Sequence, residues 1–281
     1  MDLTAGVKVE HFNYTGWESQ PSLRFAWSPT LSQTLWAAVS RAARTPSRND
    51  TDARINAAAF MQNGSTPTVV RILGNPDISS EHVTAYELGL RLTHYDDLYI
   101  DVALFRNRYE DLTGTQPETP QFEATPPPNH LVLPRRFVSD TNGHTQGAEL
   151  AASWWIQSTA RLNLSYAYLD MDITSPDQFD ISGNSPQHVA NVRFDYDWSA
   201  TWQTQLAAYY VDKLVVQNRT QPVNDYTRID LTGVWRPRSG LRLMAGVRNA
   251  FDPRHQEFGS LPFVVASEVD RTYFVDVTTQ F

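Results

Sequence analysis

The sequence predicts an all-β fold: an antiparallel transmembrane β-barrel to which this chain contributes about 12 strands. Three observations predict it. Apolar and polar residues alternate with a period of two in one segment after another. The connections between the segments are short and long in turn. Aromatic residues gather at the segment ends.

The alternating segments lie at 3–13, 21–28, 34–43, 82–93, 98–109, 137–155, 160–170, 187–198, 202–212, 226–236, 241–251 and 270–281. In 82–93, Thr84, Tyr86, Leu88, Leu90 and Leu92 alternate with Ala85, Glu87, Gly89, Arg91 and Thr93. In 98–109, Leu98, Ile100, Val102 and Leu104 alternate with Tyr99, Asp101 and Ala103. The same grammar runs through Leu162, Leu164, Tyr166 and Tyr168, through Ala190, Val192, Phe194 and Tyr196, and through Leu241, Leu243, Ala245 and Val247. Segment 34–43 resists, because Leu35, Trp36, Val39, Ala42 and Ala43 have helical spacing and alanine favours helix. The order of the turns nevertheless requires a strand there. Residues 52–61 are expected to form a short helix inside the first long loop. In the last segment Tyr273, Val275, Val277, Thr279 and Phe281 share one face.

Alternation alone fits a soluble β-sandwich as well as a barrel. The connections discriminate. Those at 28–33, 94–97, 156–159, 199–201 and 237–240 are short, and those at 44–81, 110–136, 171–186, 213–225 and 252–269 are long. Interleaving puts the tight turns at one end of a meander, the asymmetry of barrels with short periplasmic turns and long extracellular loops. Trp27, Trp36, Trp154, Trp155, Trp198, Trp202 and Trp235 lie near the short turns. Tyr14, Tyr109, Tyr168, Tyr210, Tyr226 and Tyr273 lie near the long loops. Indole and phenol rings prefer a membrane–water interface, so the two sets read as girdles. On the polar face Glu87, Arg91, Asp101, Arg193, Asp230 and Arg248 are expected to form a charge ladder on a wet inner wall.

Composition narrows the function classes. A formal net charge of -8 argues against a nucleic-acid surface, which needs a basic stripe. The chain has no cysteine, so disulfides and thiolate metal sites are excluded. There is no apolar run long enough for a transmembrane helix, but a barrel strand faces lipid with every second residue only. The seven histidines show no ligand spacing, and neither a metal nor a cofactor is expected. Asp170, Asp172 and Thr174 have the start of a calcium loop without its glycine or its terminal glutamate, and read as an ordinary acidic loop. There is no Gly-x-Ser-x-Gly and no phosphate-binding glycine loop, so the chain is not expected to be an enzyme.

Several segments together resemble the C-terminal barrel of TonB-dependent outer-membrane receptors. Arg41-Ala42-Ala43-Arg44-Thr45-Pro46-Ser47 resembles the family's strand end and following turn. Asn75-Pro76-Asp77-Ile78-Ser79-Ser80-Glu81, followed by Tyr86-Glu87-Leu88-Gly89-Leu90-Arg91, is the most specific match. Val102 to Tyr109, Gly147-Ala148-Glu149-Leu150 and Arg248-Asn249-Ala250-Phe251-Asp252 follow in the family's order, with Ala250 where leucine is usual. The closing strand resembles the signal read by the barrel-assembly machinery, carried by Tyr273, Val275, Val277 and Phe281.

The resemblance implies a barrel of about 22 strands around a plug domain. It implies that residues 1–281 are the C-terminal barrel fragment, without plug, TonB-contacting box or signal peptide. It further implies a bacterial outer-membrane location. The partners would be outer-membrane lipids, the TonB energy-transducing complex acting through the missing part, and a ferric siderophore or similar small-molecule cargo. A self-contained porin-like channel of about 12 strands and a soluble β-rich binding module are the alternatives. Anionic ferric chelates suit cationic side chains. Arg44 and Arg71 in the first long loop, with Arg48 and Arg54, and Arg108, Arg135 and Arg136 flanking the second, are the expected cargo contacts.

Overall fold

The computed structural model describes residues 1–94, 97–174, 182–215, 222–252, 254–258 and 267–280. Strands follow one another with hardly a helix between them. They are β1 Asp2–Phe12, β2 Gly16–Thr30, β3 Gln33–Arg44, β4 Arg54–Gln62, β5 Thr66–Leu73, β6 Glu81–His94, β7 Leu98–Pro117, β8 Gln121–Glu123 and β9 His130–Gln157. The series continues with β10 Ala160–Thr174, β11 His188–Asp197, β12 Trp202–Val211, β13 Tyr226–Arg238, β14 Leu241–Arg248, β15 Arg254–Gln256, β16 Glu268–Asp270 and β17 Thr272–Thr279. One short helix, α1, spans Arg48–Asp52.

The wall is an antiparallel meander in the order β1-β2-β3-β6-β7-β9-β10-β11-β12-β13-β14-β17. These twelve strands are the twelve segments the alternation marked. β3 is fully paired on both edges, to β2 and to β6, and backbone pairing overrides the helical preference of its alanines. Among the described residues β1 and β17 are not paired to each other, so the wall is an open sheet.

Register is what sorts the side chains. Leu3 faces Phe25, Phe25 faces Ala37, Ala37 faces Leu88, Leu88 faces Leu104, and Leu104 faces Ala148. Leu162, Phe194, Leu206, Leu231, Val247 and Tyr273 form a second such row across β10 to β17. Cross-strand partners share a face, so these rows make one continuous apolar surface. It stays uncovered: Val7, Val275 and Val277 are 63%, 78% and 60% exposed. The apolar residues that are buried, among them Ile78, Val132, Ala207 and Val234, are scattered rather than stacked into a core. A sandwich would cover that surface with a second sheet. A barrel wall turns it to lipid.

Aromatic residues bound the apolar surface. Trp154 lies opposite Leu162 at the tight-turn end, where Trp202 stacks on Trp235 with ring centroids 5.4 Å apart. Tyr86, Tyr168, Tyr210 and Tyr273 close the rows at the other end. Two tryptophans expected in the girdle face the other way. Trp36 lies against Gly89, where any Cβ would overlap its indole, and Trp155 sits under Arg161 at 5.2 Å. Tyr109 and Tyr226 also fall on the polar face, the latter stacked on His255 at 4.0 Å.

On the polar face the expected charge ladder is instead a set of local pairs. Arg91 donates to Asp101 at 2.7 Å, and Tyr99 Oη donates to the same oxygen at 2.9 Å. Arg193 reaches Asp195 at 3.2 Å, and Gln205 donates to Asp195 at 2.6 Å. Asp230 takes Arg228 at 3.0 Å and the Asn249 amide at 3.0 Å. Arg248 lies over the Phe274 ring, 5.2 Å from its centroid. Asp101, Asp195 and Asp230 are each satisfied by neighbours close in the chain or on an adjoining strand.

Two expectations about the connections change. The long-loop rim is not uniformly long, because β1 and β2 close through a tight turn with Gly16 at φ 79°. Residues 52–61 do not form a helix: α1 ends at Asp52 and β4 pairs antiparallel with β5 from Arg54↔Leu73 to Gln62↔Thr66. Phe281 of the closing strand lies outside the described residues, as do parts of the long loops expected at 171–186, 213–225 and 252–269. Tyr273, Val275 and Val277 do share the apolar face of β17.

Adjacent residues on opposite faces give a direct check. Leu88→Arg places a charge on the apolar face and should cost about 2–4 kcal/mol of barrel stability, whereas Glu87→Arg on the polar face should cost little. Denaturant titration of the two variants in detergent or vesicles would register the difference. Gly89→Val should cost about 1–3 kcal/mol by overpacking against Trp36, seen in the same titration.

Candidate functional site

The long-loop rim is built as an outgrowth of the wall. β9 has 28 residues, far more than the 9–11 that cross a bilayer. Its last apolar-face residue before the rim is Ala148, so residues 130–147 continue beyond the apolar surface for on the order of 55 Å along the strand. β7 follows it outward as far as Pro117↔Arg135, and β8 then pairs with it from Gln121↔Val132 to Glu123↔His130. On the other edge β5 joins β9 in parallel, Thr68↔Leu131 through Leu73↔Arg136, and carries β4 with it. The two stretches expected as the first two long loops are therefore one small sheet standing on the rim.

Glu123 ties that sheet together. Arg71 donates to it through both terminal nitrogens, at 2.6 and 3.0 Å, and donates through Nε to Asn56 at 2.9 Å. Arg54 lies 3.8 Å and His130 Nε2 3.7 Å from the same carboxylate. Arg71 is 8% exposed. The paired guanidinium holds the Glu123 carboxyl below its ordinary value of 4.5, and the carboxylate in turn raises Arg71. A second knot anchors the base of the loop. Arg44 reaches Glu81 at 3.1 Å, and Glu81 also accepts the Thr113 amide at 2.9 Å. Asp50 accepts the Ser47 amide at 2.8 Å and its hydroxyl at 2.9 Å, closing the first turn of α1. Ser80 and His82 both bond to Glu18, His82 at 3.2 Å.

The expected cargo contacts separate under this geometry. Arg71 is committed inside the sheet. Arg136 reaches Glu118 at 2.5 Å and the Gly74 carbonyl at 2.8 Å, and Arg135 bonds Thr115 through Nε at 3.1 Å. Arg44 stands at the inner rim with more than half its side chain open. Arg48 and Arg54 are exposed, with Arg48 3.5 Å from Asp52. Arg108 falls on the apolar-face phase of β7, outside the wall rather than within the mouth. Spacing rules missed Glu123 and Glu118, because their partners lie 52 and 18 residues away. Further round the rim, Pro222, Asp225, Tyr226, Asp252, His255 and Glu268 line a polar cavity of about 560 Å³. His255 is held there by Asp252 at 2.8 Å.

Wall, girdles and rim sheet define the chain as a section of transmembrane β-barrel wall, with a polar face and a structured rim. The family model described as "TonB dependent receptor-like, beta-barrel" matches residues 1–250. The chain is 23% identical over 307 aligned residues to the ferric enterobactin receptor of Pseudomonas aeruginosa, covering 99% of this chain and 40% of that receptor. A crystal structure of a mutant of that receptor superposes with a TM-score of 0.74 at 20% identity, covering 99% of this chain and 42% of the receptor. The siderophore receptor PirA from Acinetobacter baumannii gives 0.74 at 17% identity, covering 100% and 43%. This chain belongs to the TonB-dependent receptor β-barrel family. It spans about two fifths of the length of the curated relative it matches.

The Glu123 knot predicts a pH response of the rim. Its carboxyl is lowered in the fold, so its contribution to ordering the rim sheet is complete above 4.5 and fades as the pH falls through the folded value. Spin labels on the β4–β5 hairpin and on β8 should report a narrow distance distribution at neutral pH that broadens in acid. Glu123→Gln should give a broad distribution throughout.

Proposed function

We propose that residues 1–281 are the C-terminal barrel part of a bacterial outer-membrane receptor that imports a ferric siderophore or similar chelate with energy delivered through TonB. The observation that carries this reading is the pairing of a lipid-facing apolar band with a polar inner wall and, among the described residues, a structured sheet at one rim. That arrangement suits a gated passage with a recognition surface at its mouth. The matched relative is a ferric enterobactin receptor, which favours an anionic iron chelate as cargo. The share of that relative covered, and a wall whose end strands are not paired to each other among the described residues, support a larger barrel that houses the plug outside these residues.

In this reading the tight turns face the periplasm and the long loops face outward. Arg44 is the first candidate to meet cargo, because its guanidinium stands open at the inner rim. Arg135 and Arg136 position the sheet behind it, and Arg71 holds that sheet from within. Arg108 would reach cargo only from outside the wall.

Cells carrying the whole receptor should take up iron from a ferric catecholate under iron limitation, and uptake should stop when the proton gradient is collapsed. Arg44→Gln should weaken chelate binding several-fold in equilibrium titration while leaving the barrel folded. Unchanged affinity would remove Arg44 from the site.

A further inference from the structure

The β4–β5 hairpin ends in a turn whose chemistry cargo recognition leaves unused. Gln62, Asn63, Gly64 and Ser65 form it, with φ 49° at Asn63 and 72° at Gly64, and the Ser65 amide donates to the Gln62 carbonyl at 3.2 Å. Two positive φ values in succession mark a type I′ turn, and asparagine followed by glycine adopts them at least cost. Asn63, Gly64 and Ser65 are all exposed. A Cβ built on Gly64 would meet no atom within 4 Å. Among the described residues the Asn63 side chain makes no hydrogen bond.

The sequence has a second Asn-Gly pair, Asn142-Gly143, inside β9. Asn142 is exposed as well, so access to water does not separate the two. Backbone freedom does. Asn142 lies opposite Thr174 of β10, and its Oδ1 accepts the Asp111 amide at 3.2 Å. Gly143 lies opposite Tyr109 on one side and Ile173 on the other. Turning the Asn142–Gly143 peptide would break pairing to two strands, whereas turning the Asn63–Gly64 peptide disturbs one turn.

An asparagine side chain is open to attack by the backbone nitrogen of the next residue when that nitrogen can lose its proton and swing onto Cγ. A glycine in the next position puts no side chain in the way. We propose that Asn63 is a site of deamidation, so that the rim hairpin gains a carboxylate with age, whereas Asn142 keeps its amide. Gly64 N bonds to Asn63 Cγ, the Cγ–Nδ2 bond breaks, and the Gly64 amide proton leaves with the nitrogen as ammonia, giving a cyclic succinimide. Water then opens the ring at either carbonyl and leaves aspartate or isoaspartate, with no change of oxidation state. The aspartate product adds one negative charge to a chain of net charge -8. The isoaspartate product routes the backbone through Cβ and Cγ, which lengthens the turn and unseats Gln62↔Thr66 while β5 stays docked on β9 from Thr68↔Leu131 onward. The reaction needs neither cargo nor membrane.

The test incubates the whole receptor in detergent at neutral pH and 37 °C. Samples taken at intervals are digested in mild acid, and the peptides carrying Asn63 and Asn142 are followed by mass spectrometry, with fragmentation to locate each replacement of NH2 by OH. Isoaspartate is read separately with an isoaspartyl methyltransferase. In the folded protein Asn63 should deamidate at least tenfold faster than Asn142, and faster again as the pH is raised, because base removes the Gly64 amide proton. In guanidinium chloride the two rates should converge, because both Asn-Gly pairs are then free of the fold. Asn63→Gln should lower modification at that position at least tenfold and leave Asn142 unchanged. Retention of the Asn63 amide in the folded protein while the unfolded chain loses it, or equal rates at the two sites in the folded protein, overturns the proposal.

Discussion

The rest of the structure depends on an unbroken ladder of backbone hydrogen bonds in a single register. In lipid no water is at hand to satisfy a stray amide, and each wall strand between β1 and β17 is paired on both sides. Once β1 through β17 are locked in register, a period of two sorts the side chains without further instruction. Apolar residues collect on one surface and ionic pairs such as Arg91–Asp101 on the other. A slip of one residue in any strand would exchange the faces, burying Arg91 in hydrocarbon and turning Leu90 to water. The wall has almost no packed core of its own. Its cohesion is the ladder, and its specificity is the alternation that tolerates only one register.

This explains which parts of the molecule were legible in the amino-acid sequence. The twelve wall strands could be read because lipid on one side and water on the other impose the alternation residue by residue. Segment 34–43 shows the limit of local preference: its alanines favour helix, but two waiting edges outweigh a few tenths of a kcal/mol per residue. The same reasoning misled at 52–61. A short helix was expected there, and nothing nearby announced that β5 would pair with β4 and then dock on β9.

The rim was the least legible region for a related reason. Arg71 and Glu123 are 52 residues apart, and only the fold brings them together. Sequence inspection selected the arginines of the rim by charge alone. Several prove to be structural: Arg71 and Arg136 are spent on carboxylates and a carbonyl that shape the sheet. Arg108 falls on the same face of β7 as Leu104. A count of positive charges in a loop is therefore a weak guide to recognition. Phase along the strand tells inside from outside, and pairing tells a brace from an open hand.

The tight hairpin between β1 and β2 has a consequence for the shape of the entrance. At that edge the wall stops a few residues past its apolar rows, while β7 and β9 rise far beyond theirs. The parapet is high on one flank and low on the other. The rim of the described wall is therefore a slope rather than a level edge.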